Sequence, residues 1–293
     1  MDLVLAFVSL AVFVLMLDIG VKQSWDQLSA LWRQHDLLLR SLVAVLVLVP
    51  ATWILVLMLL DVPAEVAVTL ALLAASPGAP LTTKRSRIAG ADLSYVSSLQ
   101  LTLALLAVVA TPSILAVYYL AFDLPSASAT PFQVAGQIAQ VTFLPVLIGL
   151  SMRRLAPQLT ERVAEPLDRT AKLLFLLMVV VMIAALVVMP KLREGFLSGW
   201  PALFAILITA ATAIAIGHIL GGPEPAKRSG LATASLARNI GLALFIGELA
   251  NLGETMVPTL LAYMVLGALL ALPYSIWMNY RQRASRNSTN AAV

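Results

Sequence analysis

Apolar residues run through this chain in long blocks separated by short polar breaks, and inside the blocks no polar face alternates with an apolar one. Nine blocks stand out, at residues 2–21, 38–60, 64–90, 92–121, 131–150, 170–189, 199–220, 228–250 and 255–279. Each is long enough to cross about 30 Å of hydrocarbon as a helix, which takes about 20 residues. The pattern predicts an all-α polytopic membrane protein of nine transmembrane segments. Two longer basic connections are expected at 22–37 and 151–169, and a polar, disordered tail at 281–293, leaving 1–280 as a single membrane domain.

Two of the nine blocks are not uniform. The third contains Ser76-Pro77-Gly78-Ala79-Pro80. Proline removes a backbone donor and clashes with the preceding turn, so this segment is expected to break there, with Pro77, Gly78 and Pro80 forming the break. The eighth carries Ala237-Arg238-Asn239-Ile240-Gly241 at its centre. Unwound backbone at membrane depth must line a cavity or lie inside protein. The third and eighth blocks enter from opposite sides. Paired interrupted helices of opposite sense mark an inverted-repeat transporter.

Composition adds little to the fold and more to the topology. The chain is 60% hydrophobic and 12% charged, with a mean hydropathy of +0.94. There is no cysteine, which removes disulfides and thiolate chemistry. The start lacks a basic leader region, so the first block is expected to be retained as a span. The net charge of +4 is explained by placement. With the N-terminus outside and the C-terminus cytoplasmic, sixteen of the nineteen lysines and arginines face the cytoplasm, and only Lys191 and Arg193 face out. The basic balance is therefore topological, needs no nucleic acid, and suits a bacterial inner (plasma) membrane.

Arg238 is the sharpest chemical feature. An arginine at a helix centre costs at least about 2.5–3.5 kcal/mol on insertion scales, so it needs a partner or a wet cavity. Two readings fit: an internal ion pair, with Asp18 as the candidate partner, or a fixed cation in a binding site. Half-helix N-termini near Pro80 and Asn239 would add partial positive charge. Thr82, Thr83, Gln100 and Asn239 could add hydroxyl and amide contacts to a substrate anion. Lys84, Arg85 and Arg87 follow the first break, either as interfacial anchors or as a basic vestibule. No metal-ligand spacing, phosphate loop or nucleophile–base set is present, so no enzyme, resident metal or cofactor is expected.

The stretches Ala75-Ser76-Pro77-Gly78-Ala79, Gly90-Ala91-Asp92-Leu93-Ser94 and Ala110-Thr111-Pro112 resemble the fourth and fifth spans of the bile acid:sodium symporter family, and LATASLARNIGLA at 231–243 resembles its second crossover. The resemblance implies two inverted repeats, and a panel domain and a core domain that move against each other, with crossed broken helices in the core. This chain would be a nine-span member, with spans 1–4 paired with spans 6–9 and span 5 unpaired. Aligned without gaps, the family's sodium-ligand positions hold Thr82, Thr83, Val96, Gln100, Ala234 and Arg238; a one-residue slip near Gly90 would offer Ser97 or Ser98. A glutamate has become Ala234 and a glutamine Arg238. The expectation is an alternating-access carrier of a small organic anion, with the lipid bilayer as its other partner and Arg238 in place of sodium. The alternatives are a sodium-coupled symporter with a rearranged ion site and a non-transporting membrane sensor.

Overall fold

The computed structural model describes residues 3–80, 82–122, 131–190 and 199–291. Lys191 and Arg193, the two expected outward cations, lie outside the described residues. The described chain is all helix: α1 (Leu3–Lys22), α2 (Trp25–Trp32), α3 (His35–Leu59), α4 (Ala64–Ala74), α5 (Thr82–Ile88), α6 (Leu93–Phe122), α7 (Ala135–Leu155), α8 (Pro157–Val188), α9 (Trp200–Leu220), α10 (Pro225–Leu236), α11 (Ile240–Leu249) and α12 (Gly253–Ala291). Eight segments are long and apolar enough to span a membrane when α10 and α11 are taken together, and the chain is an integral membrane protein. The third apolar block is two short helices, α4 and α5, joined by the Ser76–Pro80 break.

Helix extends into three stretches outside the nine apolar blocks. The connection at 22–37 contains α2, whose start is fixed by a capping box: the Ser24 hydroxyl accepts from the Gln27 N–H, and the Gln27 side chain accepts from the Ser24 N–H. The connection at 151–169 is almost wholly helical, since α7 runs to Leu155 and α8 begins at Pro157, where proline suits a first turn. At the C-terminus α12 continues to Ala291, beyond the last apolar block.

Two groups of helices follow from the packing. α1, α7 and α8 form a three-helix layer, while α3–α6 and α9–α12 form a bundle around the two broken segments. The layer is held at very short range. A Cβ on Gly149 would fall 2.5 Å from the Val21 N, and one on Gly20 would collide with the Val146 carbonyl, so α1 and α7 touch backbone to backbone. Gly217 of α9 admits α10 in the same way, its Cβ position lying 2.5 Å from Ala232 Cα. Gly149→Ala is therefore expected to lower the melting temperature in detergent, by overpacking worth about 1–3 kcal/mol. Gly136→Ala on the same helix, whose Cβ meets nothing within 4 Å, is expected to leave it unchanged.

Two turns of wider π-helix interrupt the long helices, at Val43–Leu48 in α3 and Ala139–Phe143 in α7. Each stands just before a proline, Pro50 or Pro145. The proline ring would clash with the carbonyl four residues back, and a widened turn relieves that clash. In α3 this has a chemical consequence. The Val49 N–H bonds to the Ala44 carbonyl, and Pro50 has no N–H to offer the next one. The Val45 carbonyl is thereby left for a donor from outside its helix.

Candidate functional site at the crossing of the two broken helices

The breaks in the two interrupted segments have different causes. In the first, Pro77 pushes Ser76 out of helical conformation, and Gly78 takes φ +78°, open to glycine at no steric cost. A Cβ there would also press on the Ala104 N at 3.1 Å, so the loop lies close against α6. In the second there is no proline. The break is held by tertiary hydrogen bonds: the Leu236 carbonyl accepts from the Tyr263 hydroxyl at 2.7 Å, and the Asn239 N–H donates to the Ser76 carbonyl at 2.8 Å. That last bond joins the two breaks directly. Asn239 then caps α11, its Oδ1 accepting from the Leu242 N–H at 3.1 Å.

Arg238 sits at this junction with only 3% of its surface exposed. Its Nη1 donates to two carbonyls, Ala74 at 3.3 Å and Val45 at 3.4 Å. Both acceptors are orphans. Ala74 ends α4, where the chain turns away at a proline, and Val45 lacks a partner because of Pro50. The guanidinium also lies over the Trp53 ring, 5.4 Å from its centroid, and Trp53 is fixed by donation to the Thr209 carbonyl at 2.9 Å. The side-on edge of the guanidinium, Nε and Nη2, has no protein partner, and neither has the Asn239 Nδ2.

The expected ion pair with Asp18 does not form. Asp18 pairs with Lys22 at 2.5 Å, one turn along α1, and the partners the structure gives Arg238 are carbonyls and a ring. Helical spacing makes Asp18 and Lys22 neighbours on one face. Asp18 is thus part of a second site, a charge cluster centred on Asp168 of α8. Asp168 accepts from Lys22 at 2.5 Å, from Lys84 at 3.5 Å and from Lys172. Lys84 lies on α5, so this cluster ties the bundle to the layer.

The proposed site residues divide between two cavities. An inner one of 30 Å³ is bounded by Pro80, Thr82, Arg85, Arg238, Asn239, Gly241 and Tyr263, with Leu15 and Phe175 reaching in from the layer. It has room for a water or two. An outer one of 460 Å³ has Thr83 and Gln100 in its wall and Asp18, Lys22, Lys84, Arg87, Asp168 and Lys172 around it. The Thr83 hydroxyl donates to Gln100 Oε1 at 2.7 Å, and Gln100 Nε2 donates to the Pro80 carbonyl at 2.9 Å. Leu15 and Pro80 belong to both cavities and divide them. Pro77 and Gly78 shape the break without lining either cavity.

Residues 9–189 match the family described as Sodium Bile acid symporter family. The chain belongs to that family. It is a membrane transporter of the family by descent, and no curated protein matches it. The match covers the first crossover and the three-helix layer and stops short of the second crossover, so Arg238 and Asn239 lie beyond it. Tyr263, Phe175 and Leu15 were not singled out from the sequence, where they are ordinary apolar or aromatic residues of spans. Asp168 had a weak sequence signal, its i,i+4 spacing from Lys172.

Proposed function

We propose that this family member carries a small organic anion by alternating access, and that Arg238 supplies the positive charge that sodium supplies in the family it belongs to. The observation that carries the reading is the division of labour within one guanidinium. Unwound carbonyls and half-helix C-termini are where a transported cation binds in crossed-helix carriers. Here the Arg238 Nη1 takes those carbonyls, Ala74 and Val45. Its opposite edge, Nε and Nη2, remains unpartnered, as does the Nδ2 of Asn239, which lines the same cavity. A carboxylate matches that fork with two parallel hydrogen bonds.

The surroundings of the aligned sodium positions support the same reading. Val96 and Ala234 pack in one buried apolar cluster with Leu99, Leu103 and Leu231. The neighbouring hydroxyls are committed elsewhere: Ser97 donates to the Leu93 carbonyl, and Ser98 to the Gln27 and Ser94 carbonyls. In this reading nine spans form an inverted repeat, with the three-helix layer as panel and the bundle as core. The Lys- and Arg-rich end, including the outer cavity, faces the cytoplasm of a bacterial inner membrane. The inner cavity is too small for an organic anion as it stands. Among the described residues its walls from the layer are Leu15 and Phe175, so movement of the layer away from the bundle enlarges it.

Reconstitution tests this. The purified chain in proteoliposomes is expected to take up organic anions at the same rate in sodium and in choline buffer. Uptake that requires sodium overturns the role given to Arg238 and leaves an ordinary symporter. Binding without any flux would make the chain a sensor and overturn the carrier reading.

A further inference from the structure

The inner cavity holds a second guanidinium that the anion-carrier reading does not use. Arg85, on the first full turn of α5, lines the same cavity as Arg238. It is half-buried and makes no hydrogen bond or ion pair among the described residues. Its neighbours Lys84 and Arg87 face the outer cavity instead, where Lys84 pairs with Asp168. The cavity walls carry no carboxylate among the described residues. Two arginines from the two different broken segments therefore line one cavity whose described walls carry no carboxylate, and the buried Nε and Nη2 of Arg238 have no hydrogen-bond partner.

Enclosed charge without a partner is costly, because low-dielectric surroundings remove the hydration that stabilises it. The arrangement is explained if the missing counter-charges arrive with the substrate. Tyr263 lines the same cavity as both guanidiniums. Leu15, Phe175 and Met264 supply an apolar wall. We infer that the substrate is a dianion of the dicarboxylate kind, its two charged groups separated by a short carbon chain, one held by Arg238 and the other by Arg85. The inference rests on the anion-carrier reading and deepens it.

The test uses three probes with the detergent-purified full chain: succinate, butyrate, which has the same chain length with one charge, and inorganic sulfate, which has both charges on one group. Thermal stabilisation is titrated for each in choline buffer, since a ligand of the folded state raises stability once it exceeds its dissociation constant. Succinate is expected to stabilise at concentrations about tenfold or more below butyrate, the effect of one additional charge-assisted contact. Arg85→Gln is expected to remove that preference, leaving succinate and butyrate equal. Arg85 is half-buried and its substitution breaks no described bond, so the variant is expected to fold. Equal binding of succinate and butyrate to wild type, or a preference that survives Arg85→Gln, overturns the dianion inference while the carrier reading stands. Sulfate binding better than succinate overturns the spaced arrangement. If no probe of either charge binds, the carrier reading itself fails.

Discussion

Arg238→Gln is expected to cut sodium-independent anion uptake about 100-fold while the chain remains folded. The transport loss follows from the geometry of the free edge. A charge-assisted hydrogen bond contributes about 1.5–3 kcal/mol, so losing a two-point contact of this kind is worth about 3 kcal/mol or more, or about two decades in affinity. The folded state is less sensitive because two effects oppose each other. The Ala74 and Val45 carbonyls lose their donor, at about 1–3 kcal/mol for an unsatisfied buried group, but a costly buried guanidinium is also removed. The glutamine amide retains a donor for one carbonyl. The measurement is uptake in proteoliposomes, with a thermal melt of the same preparation. Sodium is expected not to rescue the variant, because the position aligned with the family's glutamate is still Ala234, packed against leucines. Unchanged uptake overturns the role of Arg238, and rescue by sodium shows that an ion site survives in this chain.

The sequence made the breaks legible for unequal reasons. Pro77, Gly78 and Pro80 break a helix by covalent geometry, so their effect is visible without a structure. The second break at Ala237-Arg238-Asn239 was suggested only by polarity at membrane depth, and its cause is tertiary: Tyr263 and Ser76 hold it open from other segments. The partners of Arg238 are hidden from the sequence for a related reason. An arginine in an apolar run suggests a carboxylate partner, and Asp18 is the acid nearest to membrane depth. The real partners are backbone carbonyls released by Pro50 and by the end of α4, and backbone acceptors leave no mark in a residue list. Thr82 and Thr83 are adjacent in sequence yet serve different cavities, since successive residues on a helix diverge by about 100°. The α2 helix is set by the Ser24–Gln27 capping box, a local polar signal that the pattern of apolar blocks does not register. The Lys84–Arg87 run fits an interfacial anchor or a basic vestibule on sequence alone. The structure divides it, with Arg85 turned to the inner cavity and Lys84 and Arg87 to the outer one.

Asp168→Asn is expected to open the layer away from the bundle at the lysine-rich end. Asp168 accepts from Lys22 and Lys172 within the layer and from Lys84 across the gap, so one carboxylate holds three ammonium groups and both sides of the outer cavity. Neutralising it removes the tether to α5 and leaves like charges facing one another, which favours separation twice over. The chain has no cysteine, so a single reporter is clean. Ala171→Cys places it on α8 at a position 1% exposed in this conformation but lining the outer cavity. Adding Asp168→Asn is expected to raise its maleimide labelling rate severalfold. Raising the salt is expected to move the parent protein toward the same rate, because Lys22, Lys84 and Lys172 are 37%, 51% and 49% exposed and their pairing is screened. The same substitution makes the vestibule more positive, so anion uptake at low salt is expected to gain in apparent affinity rather than lose it. That combination separates a latch from a structural ion pair. A structural pair would lower stability and uptake together, and unchanged labelling in the variant would show that Asp168 does not hold the two groups of helices closed.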